Sequence, residues 1–255
     1  MTTPTENSPT ENSRFQGRNA LVTGASRGIG AAVARLLAEQ GADIAVNYRS
    51  KGSRAEEVAE QIRAVGRRSL LIRADLTEST DVDTMMSAIR ATFGELHVLI
   101  LNASGGLEKD KPASYAMDLN LTAQVKTLEA ALPMMPSGSC IVFVTSHWAH
   151  FYGRKPVYEA YDGIAASKKA GEDALCAKVP EFERRGLKFA IVSGDMIDGT
   201  ITPKLLDRVQ PGLIAGRRGQ IGALPTIDEF AAAIVDAAAD PGLPNGRVIF
   251  VGSTD

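Results

Sequence analysis

The run Thr23-Gly24-Ala25-Ser26-Arg27-Gly28-Ile29-Gly30 carries the first residues whose types and spacing suggest chemistry. An apolar segment of strand length precedes it, and an amphipathic segment with Ala31, Val33, Leu36 and Leu37 follows at once. In that setting glycines let the backbone turn tightly and approach a pyrophosphate. The helix start offers the same anion unpaired N–H groups and the positive end of a dipole. The expected chemistry is dinucleotide binding. The next apolar run ends Val46-Asn47-Tyr48-Arg49-Ser50-Lys51, with no acid. A carboxylate there would accept ribose hydroxyls and repel a phosphate. Arg49, together with Arg27, instead offers guanidinium groups suited to a 2′-phosphate, so NADPH is the expected cofactor.

Short apolar runs of strand length alternate with stretches of helical period. The strands are expected over 19–22, 43–47, 69–73, 98–102, 140–145, 188–192 and 247–251. Helices are expected over 28–40, 53–65, 81–93, around 120–132, 163–184 and 227–239. Near-continuous apolar strands separated by helices predict a single α/β domain of Rossmann type. It is a doubly wound parallel sheet of about seven strands, with ligands at their carboxyl ends. Residues 198–224 have little periodicity and are read as a loop or helical flap over the site.

The spacing T-G-x-x-x-G-x-G resembles the short-chain dehydrogenase/reductase family. The resemblance runs on through Ala74-Asp75-Leu76-Thr77, Asn102-Ala103-Ser104-Gly105, Asn120, Ser146, Lys168 and the last strand, covering nearly all of the chain after Arg14. It implies a cofactor site built from Gly24, Ser26, Arg27, Gly28, Ile29 and Gly30 in the loop, and Asn47, Tyr48, Arg49 and Ser50 after the second strand. Asp75 and Leu76 would lie near the adenine, and Asn102, Ala103, Ser104 and Gly105 near the adenosine ribose. Lys168 would hold the other ribose, Ile197 would meet the nicotinamide carboxamide through its backbone, and Thr200 would meet a phosphate.

Reducing a carbonyl builds negative charge on oxygen, so the site needs a proton donor and groups that tune it. By the same resemblance that work falls to a serine, a tyrosine, a lysine four residues after the tyrosine, and an asparagine. Ser146, Lys168 and Asn120 match, but the residue four before Lys168 is Ile164, which has no proton to give. The segment 147–163 is longer than the family usual and supplies His147, His150, Tyr152, Tyr158 and Tyr161. Tyr161, just before the expected helix start, is the preferred substitute donor; Ser146, His147 or a water would stand in otherwise. Were the helix to begin early, Tyr161 and Lys168 would be two turns apart, about 10 Å along the axis, too far for direct tuning. Tyr152 and Tyr158 are read as packing residues, and His147 and His150 as polar loop residues. Asp195 brings a charge toward the substrate side, while Arg217 and Arg218 in the flap are expected to face water.

The function implied is an NADPH-dependent carbonyl reductase with a non-standard proton donor. A dinucleotide-binding regulatory or scaffold protein without turnover, and an isomerase or dehydratase, are the alternatives. With 28 basic and 30 acidic residues and no basic block, neither nucleic acid nor an anionic membrane is expected as a partner. A small carbonyl compound is expected instead, and the resemblance implies a homodimer or homotetramer. Residues 1–14 read as a disordered polar tail with no targeting pattern, which suggests a cytoplasmic protein. Cys140 and Cys176 are the only cysteines, and the three histidines have no zinc spacing, so no metal is expected.

Overall fold

The computed structural model describes residues 13–108 and 110–255, so most of the expected tail lies outside the described residues. Arg14, assigned to the tail from sequence, is tied to the domain by an ion pair to Asp236 at 2.7 Å and a hydrogen bond to Gln40 at 2.8 Å. Phe15 beside it is buried.

The chain runs β1 (Asn19–Val22), α1 (Gly28–Glu39), β2 (Asp43–Tyr48), α2 (Gly52–Ala64), β3 (Ser69–Arg73), α3 (Ser79–Phe93) and β4 (Val98–Leu101). It continues through the single turn α4 (Tyr115–Met117), a π-helical turn Asp118–Thr122, α5 (Ala123–Ala131), β5 (Cys140–Ser146) and the short α6 (His147–His150). A 3₁₀ turn Glu159–Tyr161 leads into α7 (Asp162–Cys176), then α8 (Val179–Arg184), β6 (Lys188–Gly194), α9 (Ile201–Val209), α10 (Leu213–Ile221), α11 (Ile227–Ala239) and β7 (Arg247–Val251). Among the described residues the strands form one sheet in the order β3-β2-β1-β4-β5-β6-β7, with every pairing parallel. The doubly wound parallel sheet expected from the alternation is therefore present.

Period-two alternation assigns the strand residues to opposite faces. Val22, Ile44, Val46, Ile100, Val142 and Val192 pack under α1, α2 and α11 with Val33, Leu37, Phe230 and Ile234. Leu21, Ala45, Leu99, Ile141, Phe143 and Ile191 pack on the other face with Met85, Ile89, Leu128 and Phe182. Both faces are covered, as near-continuous apolar strands require. The strand order reverses between β1 and β4, and there the carboxyl ends diverge to leave a crevice.

Two helical expectations are corrected, and the flap takes the helical one of its two readings. The span 163–184 is two helices, because Pro180 falls in the first turn of α8 and stops one helix from continuing through it. The helix around 120–132 opens with a π turn that places Asn120 in a widened stretch of backbone. The flap 198–224 contains two helices, α9 and α10, whose Leu206 and Leu213 join Tyr161, Ile164 and Met196 in a third apolar cluster.

α7 lies directly against the π turn. A Cβ on Gly171 would stand 2.1 Å from the carbonyl oxygen of Asn120, so only glycine permits this approach. Gly171→Ala is expected to force the two elements apart and to cost about 1–3 kcal/mol of stability, measured by urea unfolding.

Candidate active site

Two contiguous cavities open at the carboxyl ends of the strands. One, of about 620 Å³, runs along the glycine loop and the ends of β2 and β3. The other, of about 420 Å³, lies beneath the flap and reaches the ends of β5 and β6. Arg27, Ile29, Asn102, Ser104 and Thr200 line both, so the two form one groove.

The glycine loop takes its shape from backbone and strut residues. Gly28 has φ +56° and open space where a side chain would begin, so the loop presents bare backbone to the groove at the start of α1. Asn47 braces the loop: its Oδ1 accepts from Gly24 N at 3.1 Å, and its Nδ2 donates to the Ala74 carbonyl at 3.2 Å. This asparagine borders the groove but is 2% exposed, with its side chain committed to protein. Asp75 likewise turns to its own loop, accepting from Thr77 N at 3.1 Å and Thr77 Oγ1 at 2.8 Å. Gly24, Ser26, Gly30, Tyr48, Ser50, Leu76 and Ala103 line the same cavity. Five basic side chains, Arg27, Arg49, Lys51, Arg54 and Lys204, stand there against the two acids Asp75 and Glu108, so the lining of the larger cavity carries an excess of positive charge.

The smaller cavity gathers Gly105, Ser146, Tyr161, Ile164, Lys168 and Ile197. Ser146 ends β5, and its hydroxyl accepts from Ala149 N at 3.3 Å, starting α6 as an N-cap. The same Oγ lies 3.3 Å from the Tyr161 hydroxyl, which the 3₁₀ turn delivers just before α7 begins. Burial raises the pKa of Tyr161, with the Ser146 hydrogen bond opposing, while the Trp148 ring packs edge-on 5.3 Å away. Lys168 is buried and its Nζ makes no hydrogen bond among the described residues. Burial therefore pushes its pKa down to about 8 against the opposing charge of Glu172.

Asn120 lines neither cavity. Its Nδ2 donates to the Gly105 carbonyl at 2.9 Å and to Ser167 Oγ at 3.0 Å, and its Oδ1 accepts from Gly105 N at 3.3 Å. The side chain joins the loop after β4 to α7 and is thereby used up. His147 and His150 are not loop residues. They begin and end α6, with His147 Nδ1 2.8 Å from Ser193 Oγ and His150 Nδ1 2.8 Å from the buried Glu172. Burial pushes the His147 imidazole down to about 4. Tyr158 packs edge-on against Trp148, and Tyr152 donates to Asp162 at 3.2 Å.

Arg217 does not face water. Its guanidinium meets the carboxylate of Asp195 at 2.8, 3.1 and 3.2 Å, with side-chain exposures of only 11% and 2%. It also donates to the Ser253 and Asp255 carbonyls. Arg218 is half-exposed and pairs with Asp198 at 2.8 Å. Glu108, Tyr115 and Trp148 line the groove without having been singled out from sequence. They sit in the loop after β4, in α4 and in α6, and only the topology that brings these elements to this edge reveals them.

Residues 18–209 match the family model described as short chain dehydrogenase. The chain belongs to the short-chain dehydrogenase family. It is 33% identical over 180 residues to a hydroxynaphthalene reductase of Aspergillus fumigatus, a match spanning 68% of this chain and 63% of that protein. It is 32% identical over 231 residues to an NADPH-dependent aldehyde reductase-like chloroplastic protein of Arabidopsis thaliana, covering 80% and 83% of the two chains. A Burkholderia cenocepacia short chain dehydrogenase, solved in complex with NADP, superposes with a TM-score of 0.82 at 29% identity over 94% and 98% of the two chains. This short-chain dehydrogenase is an oxidoreductase.

Two stability effects follow. The folded-state pKa of Lys168, about 8, lies below its ordinary 10.5. Between those values the unfolded chain binds more protons, so this residue's contribution becomes more favourable as pH rises. Lys168→Met is expected to stabilise the fold at pH 7 by about 3 kcal/mol at most. In unfolding curves collected across pH, that gain should shrink from pH 8 upward and vanish near the ordinary lysine value; a pH-independent gain contradicts the assignment. Asp195→Asn leaves the Arg217 charge buried without its partner and should cost about 3–5 kcal/mol by the same measurement.

Proposed function

We propose that this short-chain dehydrogenase is an NADPH-dependent carbonyl reductase in which Tyr161, rather than a residue at the Ile164 position, gives the proton. The observation that carries the reading is the Tyr161 hydroxyl 3.3 Å from Ser146 Oγ, in a cavity that Lys168 also lines and that opens onto the basic groove. Support for the cofactor comes from the absence of an acid after β2, the bare glycine loop at the start of α1 and the basic wall around Arg27 and Arg49. Support also comes from the similarity to a protein solved with NADP. The dinucleotide, when bound, supplies a hydride to the carbonyl carbon.

The chain's own residues manage the oxygen. Ser146 and Tyr161 present two hydroxyls to it, and the phenol releases its proton as negative charge develops. Burial makes Tyr161 a weaker acid than a free phenol. An alkoxide is about as basic as hydroxide, whose parent water has a pKa of roughly 15.7, so the transfer remains downhill without help from Lys168. The reverse reaction needs a phenolate, which the same burial disfavours, so alcohol oxidation is slow at neutral pH and gains from a rise in pH. Val144, Trp148, Ile164, Met196, Pro203 and Phe230 form much of the wall, and the Asp195 charge is committed to Arg217. That lining suits an uncharged, largely apolar carbonyl compound.

The test is steady-state NADPH oxidation with a panel of aromatic ketones, quinones and aliphatic aldehydes. Tyr161→Phe is expected to lower kcat by about 10²–10⁴-fold while NADPH binding, measured separately, stays unchanged. Oxidation of the product alcohol should rise roughly tenfold per pH unit through the alkaline range toward the raised tyrosine value. Full activity in a binding-competent Tyr161→Phe variant removes the proposed donor. NADPH binding with no turnover of any ketone favours the regulatory reading instead.

A further inference from the structure

The adenine end of the groove contains a carboxylate close to the arginine that should meet a phosphate. Glu108, in the loop after β4, lines both cavities. Its Oε2 accepts from Gly106 N at 2.7 Å, which folds the side chain back over its own loop. Oε1 lies 3.7 Å from Arg49 Nη2, with side-chain exposures of 32% and 38%. Arg49 starts at the end of β2 and reaches to the β4 side. There one Nη donates to the Tyr115 hydroxyl, and the guanidinium sits 5.6 Å from the Tyr115 ring centroid. Tyr115 is buried, so it is a fixed post. Lys111 lies over the same ring at 5.0 Å, and Arg73 donates to the Arg49 carbonyl at 3.3 Å. Arg49 therefore rests in a clasp of one phenol and one carboxylate, with its charge partly compensated before any ligand arrives.

A 2′-phosphate that takes Arg49 must compete with Glu108 and accept a like charge beside it. A dinucleotide with a free 2′-hydroxyl faces neither cost, because the Arg49–Glu108 pair persists next to a neutral group. We propose that Glu108 is a cofactor-selectivity residue, an internal counter-ion of Arg49 that moderates the preference for NADPH over NADH. The inference rests on the reading of Arg49 as the 2′-phosphate partner.

The geometry offers a clean substitution. Glu108→Gln keeps an oxygen to accept from Gly106 N and removes only the charge. Dissociation constants for NADPH and NADH are to be measured by titration calorimetry for the wild-type chain, Glu108→Gln, Arg49→Gln and the double variant. Glu108→Gln is expected to tighten NADPH by about three- to tenfold, the range of partly exposed charge pairs, and to change NADH by less than about twofold. The gain should shrink as salt rises, because the repulsion is screened. Arg49→Gln should weaken NADPH by about tenfold or more with little effect on NADH. In the double variant the Glu108→Gln gain should fall, because part of it acts through Arg49.

If Glu108→Gln leaves the NADPH-to-NADH ratio unchanged or lowers it while Arg49→Gln still weakens NADPH, the selectivity role is overturned and the reductase reading stands. If Arg49→Gln leaves NADPH binding untouched, the phosphate seat is elsewhere and both assignments fall together.

Discussion

Thr23 closes the seam between β1 and β4 with a single side chain. Its Oγ1 donates to the Ile100 carbonyl at 3.1 Å and accepts the N–H groups of Asn102 and Ala103 at 2.9 and 3.0 Å. The Asn102 side chain returns the bond, donating to the Thr23 carbonyl at 2.9 Å. At this seam the strand order reverses and the two strands must part: Thr23 N still donates to the Ile100 carbonyl at 3.0 Å, while the N–H groups of Asn102 and Ala103 lie past the end of the ladder. A fully buried β-branched residue, stiff at χ1, satisfies those groups and fixes the two diverging loops relative to each other. The glycine loop on one side and Asn102–Gly105 on the other are the walls of the groove, so its width is set where Thr23 sits.

From that wall the placement of the smaller cavity follows by contact. Gly105 is held to Asn120 in both directions, Asn120 is held to Ser167, and Ser167 donates to the Ile164 carbonyl at 2.9 Å. The first turns of α7, with Ile164 and Lys168, are thus registered against the loop after β4. On the opposite side, Arg217 fastens α10 to Asp195 at the end of β6 and to the backbone of Ser253 and Asp255. A buried ion pair adds little net stability over an apolar pair, but it fixes register, because any other position of the flap leaves a charge unpaired. The cavity is consequently closed by an element whose position is specified, and the apolar cluster around Tyr161 and Leu213 forms beneath it.

Much of this was legible in the sequence because it depends on periodicity and on glycine. The seven strands fall within two residues of their expected ends, since a fully buried parallel strand must be an uninterrupted apolar run. The glycine loop was legible for the same kind of reason, as few other residues allow that turn. What periodicity does not reveal is pairing across the fold. Arg217 looks like a solvated charge in a polar segment, and only the topology brings Asp195 to it. Asn47 and Asn120 stand at positions read as cofactor contact and catalytic group, yet Asn47 spends its amide on the backbone and Asn120 on the backbone and Ser167. Residues 198–224 left loop and helix both open because α9 and α10 are short, and Gly212, with φ +90°, breaks the stretch between them.

The difference between a residue's type and its remaining capacity explains why the site reads differently once folded. A primary amide has two N–H donors and one carbonyl oxygen, so Asn120, with two donations and one acceptance already made, has little left for a ligand. Its influence on chemistry passes instead through what it holds, the start of α7 and the loop at Gly105. Lys168 presents the opposite case. It has three donors, no protein acceptor among the described residues and a desolvated charge, so its full capacity faces the cavity. A buried cation left unpaired is unfavourable in the folded chain alone, and the imbalance is relieved when hydroxyl groups enter to accept from it. The free donor capacity of Lys168 and the cost of burying its charge therefore have a single physical origin.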